Sequence, residues 1–380
     1  MEVNSLRLLD RSRSVCDWVC ARKRYLQYEY GGRGIVSNNT NIDLYQGTVL
    51  HDGLAAIATQ YRDNGSVDID TVAELARKQI FDALTAQTTG EVDEIDFARE
   101  QSTLIEGLLR GFYKQVWSKL IQDYPTIIAI EKEVTYKIDD TLLFMAKPDL
   151  VLADSEGAWF YIEYKSTSSK NSGWVDGWST AVQMHSTVKA IEQTLGTLPT
   201  AVNIIGLYKG FTSYGKQSSP MCYSYKRNGT PPFSKDEIQY EYKAGFKRYP
   251  VWEMAGGVKK WVEDMPPNVL ADQFPCPAPI FVNEDLISAF FNQRRFREAE
   301  IRLALQMMEH ADEEGKNGLL DAAFPQRFDS CKGYYGRDCE YLKICFGHVN
   351  DPLKEGWEYR RPHHQPEVEQ WKALENDSRG

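Results

Sequence analysis

Lys147-Pro148-Asp149-Leu150-Val151-Leu152 and Phe160-Tyr161-Ile162-Glu163-Tyr164-Lys165 are two apolar runs joined by the turn-forming Ser155-Glu156-Gly157. They read as the strands of a hairpin. Side chains alternate along a strand, so Tyr161, Glu163 and Lys165 share one face while Phe160, Ile162 and Tyr164 share the other. Asp149 lies on the preceding strand, where pairing can bring its carboxylate beside Glu163. Two carboxylates that close repel unless a proton or cation joins them, and hard oxygen ligands suit Mg²⁺ or Mn²⁺. A lysine beside such a site can orient a water and offset charge on a phosphate, which is the chemistry of phosphodiester hydrolysis. Taken alone, Glu-x-Lys on a hairpin is a weak signal and reads first as a surface salt bridge between Glu163 and Lys165.

Outward from the hairpin, period-two patterning marks strands over 127–138, 142–153 and 159–166, expected to be consecutive and antiparallel. Ser179 is the expected cap of a helix carrying Val182, Val188, Ile191 and Leu195 and closed by Gly196, before a strand over 201–208. The order is β-β-β-α-β. Upstream, helical spacing predicts one helix over 14–30, another beginning at Gly47 with Leu50, Leu54, Ile57, Ala58 and Tyr61, and a helical stretch over 71–123 interrupted near 90–96. Downstream, 209–248 reads as loop-like and basic, a long helix is expected over about 284–313, and a cysteine-bearing segment follows over 330–347. The fold class is α/β, a central mixed sheet flanked by helices, with a helical N-terminal region. Residues 1–350 are expected to form one elaborated domain: helical over about 14–123, a core over about 126–212, the basic segment 209–248, and the long helix and cysteine segment 284–347. Residues 351–380, with His363-His364-Gln365-Pro366, are expected as a polar tail.

Of 380 residues, 42% are hydrophobic and 12% aromatic, which is enough to bury a sizeable core and excludes a disordered chain. No run approaches the roughly 18–20 apolar residues of a membrane helix, and Met1 to Arg7 lack the apolar core of a secretory signal, so no membrane partner and a cytoplasmic location are expected. The net charge of −10 excludes a general nucleic-acid-binding coat. Affinity for a polyanion must then be local, and 209–248 concentrates Lys216, Lys226 and Arg227 among Phe211, Tyr214, Tyr223 and Tyr225. Arg294, Arg295 and Arg297 offer another path. Seven cysteines without a signal peptide read as thiols or metal ligands.

Pro148-Asp149 followed by Glu163-Tyr164-Lys165 resembles the PD-(D/E)XK nuclease superfamily, and the flanking residues are similar to RecB-like exonucleases of the iron-sulfur branch, found in CRISPR adaptation and AddB-type helicase-nucleases. That branch carries a Gly-x-x-x-His helix, matched by Gly47-Thr48-Val49-Leu50-His51. The resemblance implies His51, Asp149, Glu163 and the Tyr164 carbonyl around Mg²⁺ or Mn²⁺, with Lys165 serving the attacking water. A later helix bears a Gln in the family, matched by Gln183; the Tyr usual after it is missing, for Met184-His185-Ser186-Thr187-Val188 offers only His185.

Cys20-Ala21-Arg22-Lys23-Arg24-Tyr25 is similar to the segment that supplies the branch's first cluster ligand, and Cys331, Cys339 and Cys345 lie near the other end. The resemblance implies a [4Fe–4S] cluster on Cys20, Cys331, Cys339 and Cys345 that fastens the two ends together. Seven residues separate Cys331 from Cys339 where the family commonly has two. A Cys₄ Zn²⁺ site and unligated thiols are the alternatives, and Cys16, one helical turn before Cys20, could replace it. The activity implied is a metal-dependent deoxyribonuclease, an exonuclease on single-stranded DNA or frayed ends, with protein partners in recombination, repair or CRISPR adaptation. The alternative is a non-catalytic nucleic-acid-binding or assembly module on a nuclease-like fold.

Overall fold

The computed structural model describes residues 6–38, 42–87, 90, 92–167, 172–178, 182–209, 222–226, 240–241, 246–250, 256–265, 267–332, 338–349, 351–362, 364 and 367–369; side chains are described for these except at 43, 93, 172, 182–183, 222–226, 240–241, 246–250 and 269. The chain opens with β1 (Arg7–Asp10), α1 (Arg11–Val19) and α2 (Ala21–Tyr28). The single helix expected over 14–30 is corrected here. Cys20 is extended, with φ −162° and ψ 117°, so the chain turns a corner between two short helices. β2 (Ile35–Ser37) leads to α3 (Ile42–Asn64), which starts before Gly47. Then come α4 (Ile69–Thr85), α5 (Val92–Phe112), a π-helical turn over Tyr113–Trp117 and α6 (Ser118–Asp123).

The strand region follows as β3 (Thr126–Ile130), β4 (Val134–Asp139), β5 (Leu142–Ala146), β6 (Leu150–Ala153) and β7 (Trp159–Thr167). The expectation of three consecutive strands is corrected: the first two are each bent into two, and the halves join different sheets. β6 pairs antiparallel with β7 and with β3, whereas β4 pairs antiparallel with β5, and β5 takes β1 in parallel. The first bend is at Glu131, a non-glycine residue with φ 45°, where the strand conformation cannot continue. The second is Lys147-Pro148-Asp149, whose proline has no N–H to donate to a ladder. The bends lie side by side, the Glu131 N–H donating to the Asp149 carbonyl at 3.0 Å.

After α7 (Ser172–Gly177) and α8 (Val182–Leu195), β8 (Ala201–Tyr208) runs parallel to β7, so α8 is the crossover. Gly196, at φ 88°, closes α8 by donating its N–H to the Glu192 carbonyl at 2.8 Å. The Ser179 cap lies outside the described residues. The same helix protects an exposed edge: Thr194 Oγ1 and Gln193 Oε1 accept from the Thr135 and Lys137 N–H groups of β4 at 2.8 and 2.7 Å.

The loop-like reading of 209–248 is corrected in part, because β9 (Cys222–Lys226), β10 (Tyr240–Glu241) and β11 (Phe246–Pro250) pair antiparallel in the order β10-β11-β9. α9 (Gly257–Asp264) and α10 (Pro267–Ala271) precede β12 (Ile280–Phe281), which adds to β8 and completes a five-stranded sheet in the order β12-β8-β7-β6-β3. The long helix α11 (Glu284–His310) stops short of 313, because Asp312 caps a new helix, α12 (Glu313–Ala323), accepting from the Gly315 N–H at 2.9 Å. α13 (Leu342–Cys345) and β13 (Trp357–Tyr359) follow. The described residues of 351–369 depart from the expected tail: β13 pairs with β2, and buried Glu367 accepts from both Arg13 and Arg360. Burial of those charges needs partners from distant elements, which no local pattern announces.

The five-stranded sheet separates two cores. On one face Leu150, Leu152, Ile162 and Tyr164 pack with Leu54, Leu108, Phe112 and Trp261 of the helices. On the other, Val151, Tyr161 and Val202 pack with Phe144, Val188 and Phe290. Strand alternation therefore assigns Tyr161 and Tyr164 to opposite faces, as the sequence predicts. The α/β class with a helical N-terminal part holds. Among the described residues, no helix is long and apolar enough to cross a membrane.

Candidate active site

The seam between the two sheets is where acidic side chains collect. Asp149 stands at one strand bend and Glu131 at the other, and α3 lays His51 against both. His51 Nδ1 is 2.8 Å from Asp149 Oδ1 and 3.8 Å from Glu131 Oε1. One ligand atom from each lies within 4.8 Å of the others. Asp149 Oδ2 accepts the Tyr164 N–H at 2.6 Å, which fixes the carboxylate against β7, and Lys147 Nζ lies 2.7 Å from Glu131 Oε2.

Electrostatics show what this pocket favours. Burial raises the Asp149 carboxyl, and the negative charge of Glu163 raises it further, against the pull of His51. Burial alone would lower His51, but the Asp149 carboxylate outweighs it and holds the imidazolium up to about 10. Burial would raise Glu131, yet His51 and Lys147 bring it below the usual range. The carboxylates thus hold a proton on a histidine that is ordinarily neutral, which marks a place where positive charge is stabilised. One imidazole nitrogen and two carboxylates form a donor set that fits a divalent cation in place of that proton.

Glu163 lies on the face of β7 away from the Tyr164 ring, near enough to Asp149 for its charge to raise that carboxyl, and is 4% exposed. Its Oε1 accepts from Arg11 at 2.8 Å and also from Lys165, while Tyr161 donates its hydroxyl to Oε2. Burial would raise its carboxyl, but Lys165 and then Arg11 hold it down at about 2. Tyr161 is pushed well above its ordinary value by burial and by Glu163. Of the residues predicted from sequence, His51 and Asp149 meet directly, and Glu163 and Lys165 meet each other. The Tyr164 ring stands edge-on to His51 with centroids 6.4 Å apart. Gln183 is in the first turn of α8, but its side chain lies outside the described residues. His185 is buried, which lowers its pKa.

Sequence reasoning missed two residues. Glu131 carries a signal that could have been used: Glu131-Lys132-Glu133 is a charged triplet inside an otherwise apolar strand pattern. Arg11 carries a weaker one, a cation in the first turn of a helix where the backbone dipole favours anions. On the alternative basic path, Arg294 and Arg297 both pair with Asp17 at 3.0 Å, Arg294 buried and Arg297 half-buried, while Arg295 is exposed. The side chains of 210–250 lie outside the described residues.

A second constellation lies elsewhere. Cys20, Cys331, Cys339 and Cys345 line one cavity of about 800 Å³, beside Lys23 and Tyr45. The seven-residue gap closes on itself, since Lys332 and Asp338 form an antiparallel bridge and the Cys339 N–H donates to the Cys331 carbonyl at 2.8 Å. Arg22 Nε donates to the Phe324 carbonyl at 2.9 Å and the Tyr341 hydroxyl to the Ile35 carbonyl at 2.6 Å, fastening the chain ends around the cavity. Burial raises the Cys331 thiol, with Cys339 and Cys20 adding to it. Burial pushes Cys345 up to about 11, Arg22 opposing and the other three thiols adding. Cys16 is buried one turn away, its thiol donating to Gln27 Oε1 at 3.4 Å.

Residues 19–346 match the PD-(D/E)XK nuclease superfamily, a span that takes in His51, both strand bends, Glu163-Tyr164-Lys165 and all four cysteines of the cavity. The chain belongs to this superfamily. Membership brings a metal-dependent nuclease fold and a nucleic acid as the class of substrate, and the His51–Glu131–Asp149 group supplies a matching metal site. No curated protein matches. A solved structure titled "Crystal structure of SSO0001" is similar at 10% identity with a TM-score of 0.20, over 36% of this chain and 73% of that one.

Proposed function

We propose that this superfamily member is a metal-dependent deoxyribonuclease of the RecB-like iron-sulfur branch, an exonuclease acting on single-stranded DNA or frayed ends. The observation that carries the reading is the meeting of His51, Asp149 and Glu131 at the seam, with Glu163 and Lys165 beside Asp149 on the neighbouring strand. Mg²⁺ or Mn²⁺ would be held by His51, Asp149, Glu163 and the Tyr164 carbonyl, with Glu131 as a further carboxylate. Such an ion supplies Lewis-acid polarisation of the phosphate and a lowered pKa for a water. The chain's own groups do the rest. Asp149 is fixed by the Tyr164 N–H, Tyr161 orients Glu163, and Lys165 donates toward the attacking water or the phosphate. Gln183 would help orient the DNA or that water, and the 209–248 segment would carry the strand. Partners in recombination, repair or CRISPR adaptation fit the same reading.

For the cysteines we propose a structural [4Fe–4S] cluster, with Zn²⁺ as the alternative. Four thiols lining one cavity are a set that a strongly positive group would ionise and stabilise.

The test incubates end-labelled single- and double-stranded DNA with the wild type and Lys165→Met, in Mg²⁺, Mn²⁺ or chelator. Cleavage that needs the metal and is lost in Lys165→Met is expected. A wild type inactive with both ions, or a Lys165→Met variant cleaving at the wild-type rate, would defeat the reading.

A further inference from the structure

We propose that Arg11 binds the phosphodiester, its guanidinium gripping the non-bridging oxygens of the phosphate that Lys165 also faces. This rests on the nuclease reading above and extends it to a residue outside the motif.

The first observation is a local imbalance of charge. Arg11 and Lys165 both donate to one atom, Glu163 Oε1, so two cations surround a single carboxylate whose other oxygen is taken by the Tyr161 hydroxyl. Two cations thus face one carboxylate at this point of β7. Glu163 is buried, while the Arg11 and Lys165 side chains keep 31% and 22% of their exposure and so remain within reach of solvent. Two donors on one acceptor are at most about 6 Å apart, which matches the reach of two groups that share one phosphate.

The second observation is where Arg11 sits in the chain. It is the first residue of α1, and a cation there opposes the helix dipole and weakens the helix by a few tenths of a kcal/mol or more. A residue that breaks a local rule beside a site carboxylate is expected to have a compensating task. The backbone under it is rigid. Asp10 caps α1 by accepting from the Arg13 N–H at 2.7 Å, its other oxygen accepts from the Arg13 guanidinium at 2.8 Å, and β1 is paired to β5 through Asp10 and Met145. A guanidinium carried on this backbone and held by Glu163 is preorganised for an anion. Its contact with Glu163 uses one of five N–H donors, leaving a fork for phosphate oxygens.

The competing role is a brace, in which Arg11 only holds Glu163 in place for the metal. Arg11→Gln and Arg11→Lys separate the two through four readings: kcat and KM for single-stranded DNA cleavage, the salt slope of binding for a labelled 20-nucleotide DNA in Ca²⁺, the calorimetric affinity for Mn²⁺ alone, and Tm. Arg11→Gln is expected to lower kcat about a hundredfold and flatten the salt slope by about 0.7, with Mn²⁺ affinity within about threefold of wild type. Arg11→Lys should restore the slope but not the rate, because an ammonium cannot fork. An Arg11→Gln variant with unchanged kcat and slope overturns the proposal, as does one whose Mn²⁺ affinity falls in step with kcat. If Arg11→Gln melts early, an Arg11→Lys variant with full kcat overturns it. A wild type that neither binds nor cleaves the oligonucleotide removes the nuclease reading and the proposal together, whereas an active wild type beside an equally active Arg11→Gln removes the proposal alone.

Discussion

Replacing Glu131 by Gln tests whether the seam between the two sheets is the metal centre. Glu131 Oε1 is 3.8 Å from His51 Nδ1, so an ion shared by His51 and Asp149 also falls within a few ångströms of Glu131. Unit charges 4 Å apart at an effective dielectric of 20 interact by about 4 kcal/mol, and a divalent ion doubles that. Lys147, 2.7 Å from the same carboxylate, already neutralises much of it, and the ion and carboxylate both shed water. The remainder is about 2 kcal/mol, or a thirtyfold weaker Kd, which lies in the range found when a metal site loses a supporting carboxylate. Gln keeps the volume and can still accept from Lys147, so Tm of the metal-free protein should change little. Titration calorimetry of metal-free wild type and variant with Mn²⁺ measures the difference. Wild-type affinity in Glu131→Gln would refute the reasoning and leave Glu131 as a partner of Lys147 alone.

Anaerobically purified protein should be brown, and Cys20→Ser should lose both colour and several degrees of Tm because two chain ends come apart, while Cys276→Ser keeps both; a colourless protein with one tightly bound zinc would establish the Cys₄ alternative. Glu29 is buried against Arg24 and Arg7, which overcome the burial penalty and hold its carboxyl down at about 2, below its ordinary 4.5. A depressed carboxyl adds stability above the unfolded value and loses it as pH falls through the folded one, so Glu29→Gln should remove about 3 kcal/mol at pH 7 and shrink the difference from wild type between pH 4.5 and 2 in denaturant melts. Neutralising Lys216, Lys226 and Arg227 together should weaken single-stranded DNA binding and flatten its salt dependence at unchanged Tm; unchanged affinity would place the DNA path elsewhere.

The sequence by itself determined what short-range chemistry can determine. Alternation in Phe160-Tyr161-Ile162-Glu163-Tyr164-Lys165 assigned each side chain to a face, because the two-residue repeat of a strand is a property of the backbone alone. The helix before β8, the strand over 201–208 and the gathering of cysteines at the two ends were legible for similar reasons: periodicity, a closing glycine and residue type are all written locally. Tertiary structure decided what depends on pairing across the chain. The charged triplet at Glu131 interrupts the strand pattern but does not say that the strand bends there, since the positive φ is held by the neighbouring Asp149 bend eighteen residues later in the sequence. Splitting two expected strands between two sheets made a seam, and the seam, rather than the hairpin, is where His51 meets two carboxylates. Arg11 reaches Glu163 across 152 residues, and Glu367 reaches Arg13 across 354. Charges buried in this way are stable only with partners that folding brings to them, so their roles could be read only once the chain had closed on itself.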